Sequence, residues 1–135
     1  MPTKDCPFCH PDPRFVIARS ALTLTVRDAF PVAPGHTLIC PHRHFANLFD
    51  ATPDEMAEIW EALRQAAADF AADTRDERPP DGFNVGVNVG AAAGQSVPHL
   101  HVHLIPRRQG DQPDPRGGIR RIFPDTADYW TKRKA

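Results

Sequence analysis

Alternating apolar and polar positions mark several short extended segments, and one longer stretch follows helical spacing. Phe15-Val16-Ile17-Ala18 is the first apolar stretch, set behind Pro11 and Pro13. Ala21-Leu22-Thr23-Leu24-Thr25-Val26 alternates and is rich in β-branched residues, the pattern of a strand. Pro31, Pro34 and Gly35 mark a turn before another strand, His36-Thr37-Leu38-Ile39-Cys40. The short polar connection between the first strands favours an antiparallel hairpin.

The helix has a clear start. Thr52 supplies an N-cap, Pro53 suits the first helical position, and Glu55 completes a capping box. Met56, Ile59, Trp60, Leu63, Ala67 and Phe70 then form one stripe at helical spacing, predicted to face the core. The helix is expected to fray before Arg75-Asp76-Glu77-Arg78-Pro79-Pro80. Gly82 to Val89 alternates again with glycines and asparagines on one face, Gly90 to Gly94 reads as a small flexible loop, and Leu100 to Pro106 is the last strand. Strands, helix, strands is the order of an antiparallel α+β domain.

At 135 residues the chain is one domain with room for a core that needs no disulfide staples. No apolar run approaches the roughly 18 residues of a membrane helix, and the charged N-terminus lacks the apolar region of a secretory signal. A cytoplasmic location is therefore expected. Three cysteines include the pair Cys6-Pro7-Phe8-Cys9, a spacing that in a reducing compartment suggests metal or redox chemistry. Followed by His10, it is formally a haem-attachment pattern, which the lack of an export signal disfavours. Cys40, inside a strand pattern, is expected to be a buried inert thiol. A pI near 6.6 with 8% aromatics argues against a polymeric nucleic-acid partner. From Arg107 onward, 8 Lys/Arg against 4 Asp/Glu give a local excess of +4. That excess fits either a solvated tail or a contact with an anionic substrate.

The run His99-Leu100-His101-Val102-His103 carries the chemistry. On a strand the three imidazoles share one face while Leu100, Val102 and Leu104 pack on the other. Core packing has no use for three imidazoles in alternation. His99 and His103 would lie roughly 13 Å apart along such a strand, too far to share an ion with bonds of about 2 Å. Neighbouring members could share one, which leaves open a metal-dependent hydrolase with zinc on His99 and His101. A division of labour fits better, with one histidine as nucleophile and its other nitrogen held as a donor. Gly94-Gln95-Ser96-Val97 places an amide, a hydroxyl and backbone N–H groups beside that face, as a phosphate requires. A nucleotide-binding or sensing module with slow turnover would keep the same pocket.

Ala93 to Arg107, with its Gly94-Gln95-Ser96 and triple-histidine run, closely resembles the signature of the histidine triad (HIT) family. Pro34-Gly35-His36-Thr37-Leu38-Ile39 followed by Pro41-His42-Arg43-His44 resembles the family's second recurring stretch, and Cys6-x-x-Cys9 matches many members. The resemblance spans about residues 6–107. It implies a HIT-like α+β fold with an antiparallel sheet, one long helix and a short helix, in a homodimer. It also implies hydrolysis or transfer of nucleoside monophosphates from substrates such as diadenosine polyphosphates. By resemblance, His101 attacks the α-phosphorus of a purine nucleotide or dinucleotide, and His103 and Ser96 assist it. Gln95, Ser96 and His103 hold phosphate oxygens, Asn88 supports the pocket and Asp28 receives the ribose hydroxyls. In zinc-containing relatives the ligands would correspond to Cys6, Cys9, His44 and His99, a closed structural site. Residues 1–110 would form the HIT domain. Residues 111–135 would be a Pro/Gly/Arg-rich tail packing on the domain or on a dimer partner, with its arginines near the leaving phosphates.

Overall fold

The computed structural model describes residues 3–72 and 78–132. Strands β1 (Val16–Arg19), β2 (Thr23–Arg27), β3 (Thr37–Pro41), β4 (Gly82–Gly86) and β5 (Val102–Arg107) form one antiparallel sheet in the order β1-β2-β3-β5-β4. Among the described residues a single long helix, α1 (Pro53–Ala72), joins β3 to the β4–β5 hairpin and packs on β2 and β3. Short 3₁₀ turns at Pro13–Phe15, Leu48–Asp50, Ala91–Ala93 and Gly118–Ile122 complete the antiparallel α+β architecture expected from the sequence. The stretch expected to unravel the helix lies partly outside the described residues, at 75–77.

Local chemistry starts the helix as anticipated. Thr52 Oγ1 accepts from the Glu55 N–H at 3.1 Å, and Glu55 Oε1 accepts from the Thr52 N–H at 2.9 Å. The Glu55 carboxylate, almost fully buried, also receives Arg43 at 2.8 Å, which holds its pKa below the ordinary range. Ile59 and Ala66 are buried, and Phe70 packs against Phe83 of β4 with ring centroids 5.9 Å apart. Met56 and Trp60, predicted to face the core, are instead 40% and 64% exposed. Each residue turns a helix by about 100°, so the narrow line through Ile59, Ala62, Leu63, Ala66 and Phe70 covers the sheet and Trp60 rotates past its edge.

The sheet is covered on both faces at its centre, and every residue of β3 is buried. Ile39, Leu100 and Val102 pack with Ile59 beneath the helix. Leu24, Val26, Leu38 and Cys40 form a second core on the opposite face, capped by Phe8 and Val16. His103 pairs with Leu38 across the β3–β5 ladder and therefore belongs to this second face.

Two strands are shorter than the alternation predicts. β4 ends at Gly86, and β5 begins only at Val102, so His103 is on a strand while His99 and His101 lie in the irregular approach to it. The ladder stops because the Leu100 N–H donates to the Phe45 carbonyl at 2.6 Å, and the His99 ring takes the Pro41 carbonyl. The glycine-bounded loop expected to be flexible contains the 3₁₀ turn Ala91–Ala93, closed by Gly94 in the left-handed region at φ 93°. Among the described residues no helix is long and apolar enough to cross a membrane.

Ile59→Ala should lower unfolding free energy by about 3 kcal/mol, the range for a large-to-small change in a packed core. Thr52→Ala should cost about 1 kcal/mol through the lost cap. Urea denaturation of both variants checks the two values.

Candidate active site

Two clusters of polar side chains meet at the histidine run. The first gathers Cys6 and Cys9 from the N-terminal turn, His44 from the segment after β3, and His99. Their ligating atoms lie within 4.8 Å of one another. His99 Nδ1 is 3.4 Å from Cys6 Sγ, 3.5 Å from Cys9 Sγ and 3.0 Å from His44 Nδ1, and Cys9 Sγ is 3.2 Å from His44 Nδ1. The His99 Nε2–H donates to the Pro41 carbonyl at 2.8 Å, so in the neutral ring the lone pair sits on Nδ1 and points into the cluster. Burial favours that neutral form. Tetrahedral coordination with bonds of about 2.0–2.3 Å spaces ligand atoms about 3.3–3.8 Å apart, close to these distances. Two thiols and two imidazoles thus present the donor set of a closed metal site.

The second cluster surrounds a cavity of about 460 Å³ on the sheet face opposite the helix. Asp28, Asn88, Ser96, His101 and His103 all line it, with Phe8, Phe15, Val26 and Leu38 as apolar wall. The His101 Nδ1–H donates to the His99 carbonyl at 2.9 Å, which leaves Nε2 as the nitrogen with a lone pair. The His101 and His103 rings are 5.1 Å apart between centroids.

His36, which sequence reasoning did not single out, completes this cluster. The Val32 N–H donates to His36 Nδ1 at 3.2 Å, so the neutral ring carries its proton on Nε2, 2.9 Å from His103 Nδ1. His103 Nδ1 accepts that hydrogen bond, and the His103 proton is left on Nε2. Asp28 Oδ2 lies 3.5 Å from His36 Nε2, and Asp28 Oδ1 accepts from the Phe30 N–H at 2.8 Å. Burial lowers the pKa of His36, against the raising influence of Asp28. It pushes His103 down to about 4, with His101 and His36 adding to the effect. The one clue to His36 in the sequence was its place in the Pro34–Ile39 stretch. Its pairing with His103 depends on which strands are neighbours.

Gln95 is not among the residues lining the cavity. Its Nε2 donates to the Ala46 and Val97 carbonyls at 3.0 and 3.2 Å, and its Oε1 accepts from the Gly90 N–H at 2.9 Å. The amide staples the loop that presents Ser96. Zinc shared by His99 and His101 also finds no support, because the His99 ring bonds Pro41 and faces the cysteines while the His101 Nδ1–H is spent on the His99 carbonyl.

In the tail, Gly118–Ile122 packs against β4. Ile119, Ile122 and Phe123 line a neighbouring cavity of about 930 Å³ that reaches Asn88 and His103. The tail arginines make contacts within the tail. Arg116 and Arg121 stack over Trp130 at 4.8 and 5.6 Å, and Arg120 lies 5.0 Å over Tyr129 while donating to the Ala127 carbonyl.

The HIT domain family matches residues 11–110. The chain belongs to the HIT family. It is 37% identical over 112 residues to a protein of Mycobacterium tuberculosis named AP-4-A phosphorylase, covering 82% of this chain and 55% of that protein. It is 34% identical over 100 residues to the bis(5'-nucleosyl)-tetraphosphatase (asymmetrical) of Schizosaccharomyces pombe, covering 71% of this chain and 50% of that one. The chain thus spans about half the length of these curated relatives. The crystal structure of a Zn-bound histidine triad family protein from Mycobacterium smegmatis superposes with a TM-score of 0.69 at 32% identity, covering 82% of this chain and 84% of that one.

The low pKa of His103 makes stability pH-dependent. An unfolded-chain histidine, with a pKa near 6.5, takes up a proton that the folded ring refuses until about pH 4. The contribution is complete above about pH 6.5 and is lost as pH falls toward 4. Urea midpoints measured from pH 7 to 4 should fall more steeply for the wild type than for His103→Asn. Equal slopes would contradict the assignment.

Proposed function

We propose that this protein releases a nucleoside 5'-monophosphate, AMP in the first instance, from a phosphate- or amine-linked leaving group. The observation that carries the reading is the hydrogen bond from His101 Nδ1–H to the His99 carbonyl. It leaves the lone pair on Nε2, the nitrogen that would serve as nucleophile, in a cavity also lined by Asp28, Asn88, Ser96 and His103. The names of the M. tuberculosis and S. pombe relatives support a dinucleoside polyphosphate as the substrate class.

In this reading His101 Nε2 attacks the α-phosphorus. A P–N bond forms, the bond to the leaving group breaks with its electron pair, and a nucleotidyl-histidine results. Water then cleaves that bond and regenerates the imidazole, so one hard displacement becomes two easier ones. His103, its proton directed to Nε2 by His36, and Ser96 donate to phosphoryl oxygens. Asn88 closes the same side, and Gln95 contributes through the loop it holds. Asp28 accepts from the ribose hydroxyls, and the apolar wall receives the base.

The Cys6, Cys9, His44 and His99 set suits zinc, and the zinc-bound relative from M. smegmatis supports that identity. With no ligand position left for water, the ion would stabilise the N-terminal turn and take no part in the chemistry. Residues 1–110 would constitute the catalytic domain and 111–135 an appended tail. The outer edge of β4, beside exposed Val85, Ile119, Ile122 and Phe123, suits a second copy of the chain in a homodimer. Three free cysteines support a cytoplasmic location.

His101→Ala should abolish turnover of diadenosine tetraphosphate while AMP still binds, since the phosphate and ribose partners remain. Near wild-type hydrolysis by this variant would sink the mechanism. Elemental analysis of protein purified without chelators should find about one zinc per chain.

A further inference from the structure

His99 is bonded toward two sites at once. Its ring Nδ1 belongs to the Cys/His cluster, and its backbone carbonyl accepts the hydrogen bond that fixes the tautomer of His101. Phe8 makes a second bridge. It lies between the two cysteines in sequence, its ring sits 5.7 Å from the His99 ring and 5.0 Å from the His101 ring, and it forms part of the cavity wall with Pro7. Within the turn the Cys6 N–H donates to the Thr3 carbonyl at 3.2 Å and the His10 N–H to the Cys6 carbonyl at 3.0 Å, while the Phe8 ring packs on the core of Leu24, Val26, Leu38 and Cys40. Among the described residues, the polar ties from this turn to the rest of the domain run through the thiols of Cys6 and Cys9, to His44 and His99.

We propose that the metal cluster sets the affinity of the nucleotide cavity, with Phe8 as the positioning residue that couples the two. The proposal rests on the nucleotide-site reading above and adds that metal and nucleotide reinforce each other's binding. When the cluster is filled, the turn is anchored and the Phe8 ring is held against His101. When it is empty, nucleotide binding must itself order the turn, and that conformational cost weakens it. Coupling between two binding sites is reciprocal, so bound nucleotide must tighten the metal by the same factor.

The test is chelator competition on the zinc-loaded protein, following zinc release with a metal-sensitive dye. Saturating AMP should raise the chelator concentration that removes half the zinc by about tenfold, within the usual range of such couplings. Inorganic phosphate at the same concentration serves as the control for zinc binding by free anions. Phe8→Ala should keep its zinc, lose most of this protection and bind AMP about tenfold more weakly. Phe8→Leu, which retains apolar bulk, should recover part of both. A wild-type chelator midpoint unmoved by saturating AMP, in protein shown calorimetrically to bind AMP, would overturn the coupling. That wild-type comparison stands even if the alanine variant does not fold. Zinc-loaded wild type that fails to bind AMP would instead overturn the nucleotide-site reading, and the coupling with it.

Discussion

The buried hydrogen bond from His99 Nε2–H to the Pro41 carbonyl, 2.8 Å long, orders most of what surrounds it. It consumes a carbonyl at the end of β3, where the β3–β5 ladder has already stopped, and so lets the chain approach β5 off the sheet. It assigns the ring's second nitrogen to the thiols. It also holds residue 99 so that its backbone carbonyl meets His101. An unpaired imidazole at this fully buried position would leave a polar group without water, at a cost of about 1–3 kcal/mol, so the ring has little freedom to turn elsewhere.

Signals that act within one turn of chain were legible in the sequence. The Thr52/Glu55 cap, the alternation in β2 and β3 and the strand–helix–strand order all appear in the structure. Signals that depend on neighbours were not. Trp60 fits the helical stripe, yet how wide a stripe the sheet covers is a property of packing. His99 and His101 fit a strand period, but the Phe45 carbonyl competes for the Leu100 N–H and ends the ladder. Gln95 has the chemistry of a phosphate donor, and local carbonyls outbid the cavity for it. His36 joins His103 because β3 and β5 are adjacent, although 67 residues separate the two in sequence. The four members of the Cys/His cluster were inferred by resemblance, since nothing in their spacing alone brings Cys6 within reach of His99.

The pocket offers an anionic ligand little formal positive charge besides Arg27, whose guanidinium stacks over the Phe70 ring at 4.7 Å and donates to Thr37 Oγ1. His36 and His103 are neutral near pH 7 because burial penalises their charged forms. Arg107 is committed to Asp111 and to Asn84, and the stacked arginines of the tail serve Trp130 and Tyr129. In the proposed reaction, oriented N–H dipoles in a partly desolvated cavity would supplement that charge and would need little rearrangement as charge shifts on the phosphoryl group.

The turn between β2 and β3 carries Asp28 and His36, and Gly35 lies within it at φ 86°. A Cβ at Gly35 would stand 2.7 Å from the Phe70 ring and 3.2 Å from Pro106. Phe70 itself leans on Phe83 at the far side of the sheet. The final turn of α1 is therefore a buttress for the turn that carries Asp28 and His36. Added bulk at Gly35 is transmitted as a push through one aromatic pair to β4, so the mouth of the cavity and the outer strand are not free to vary independently.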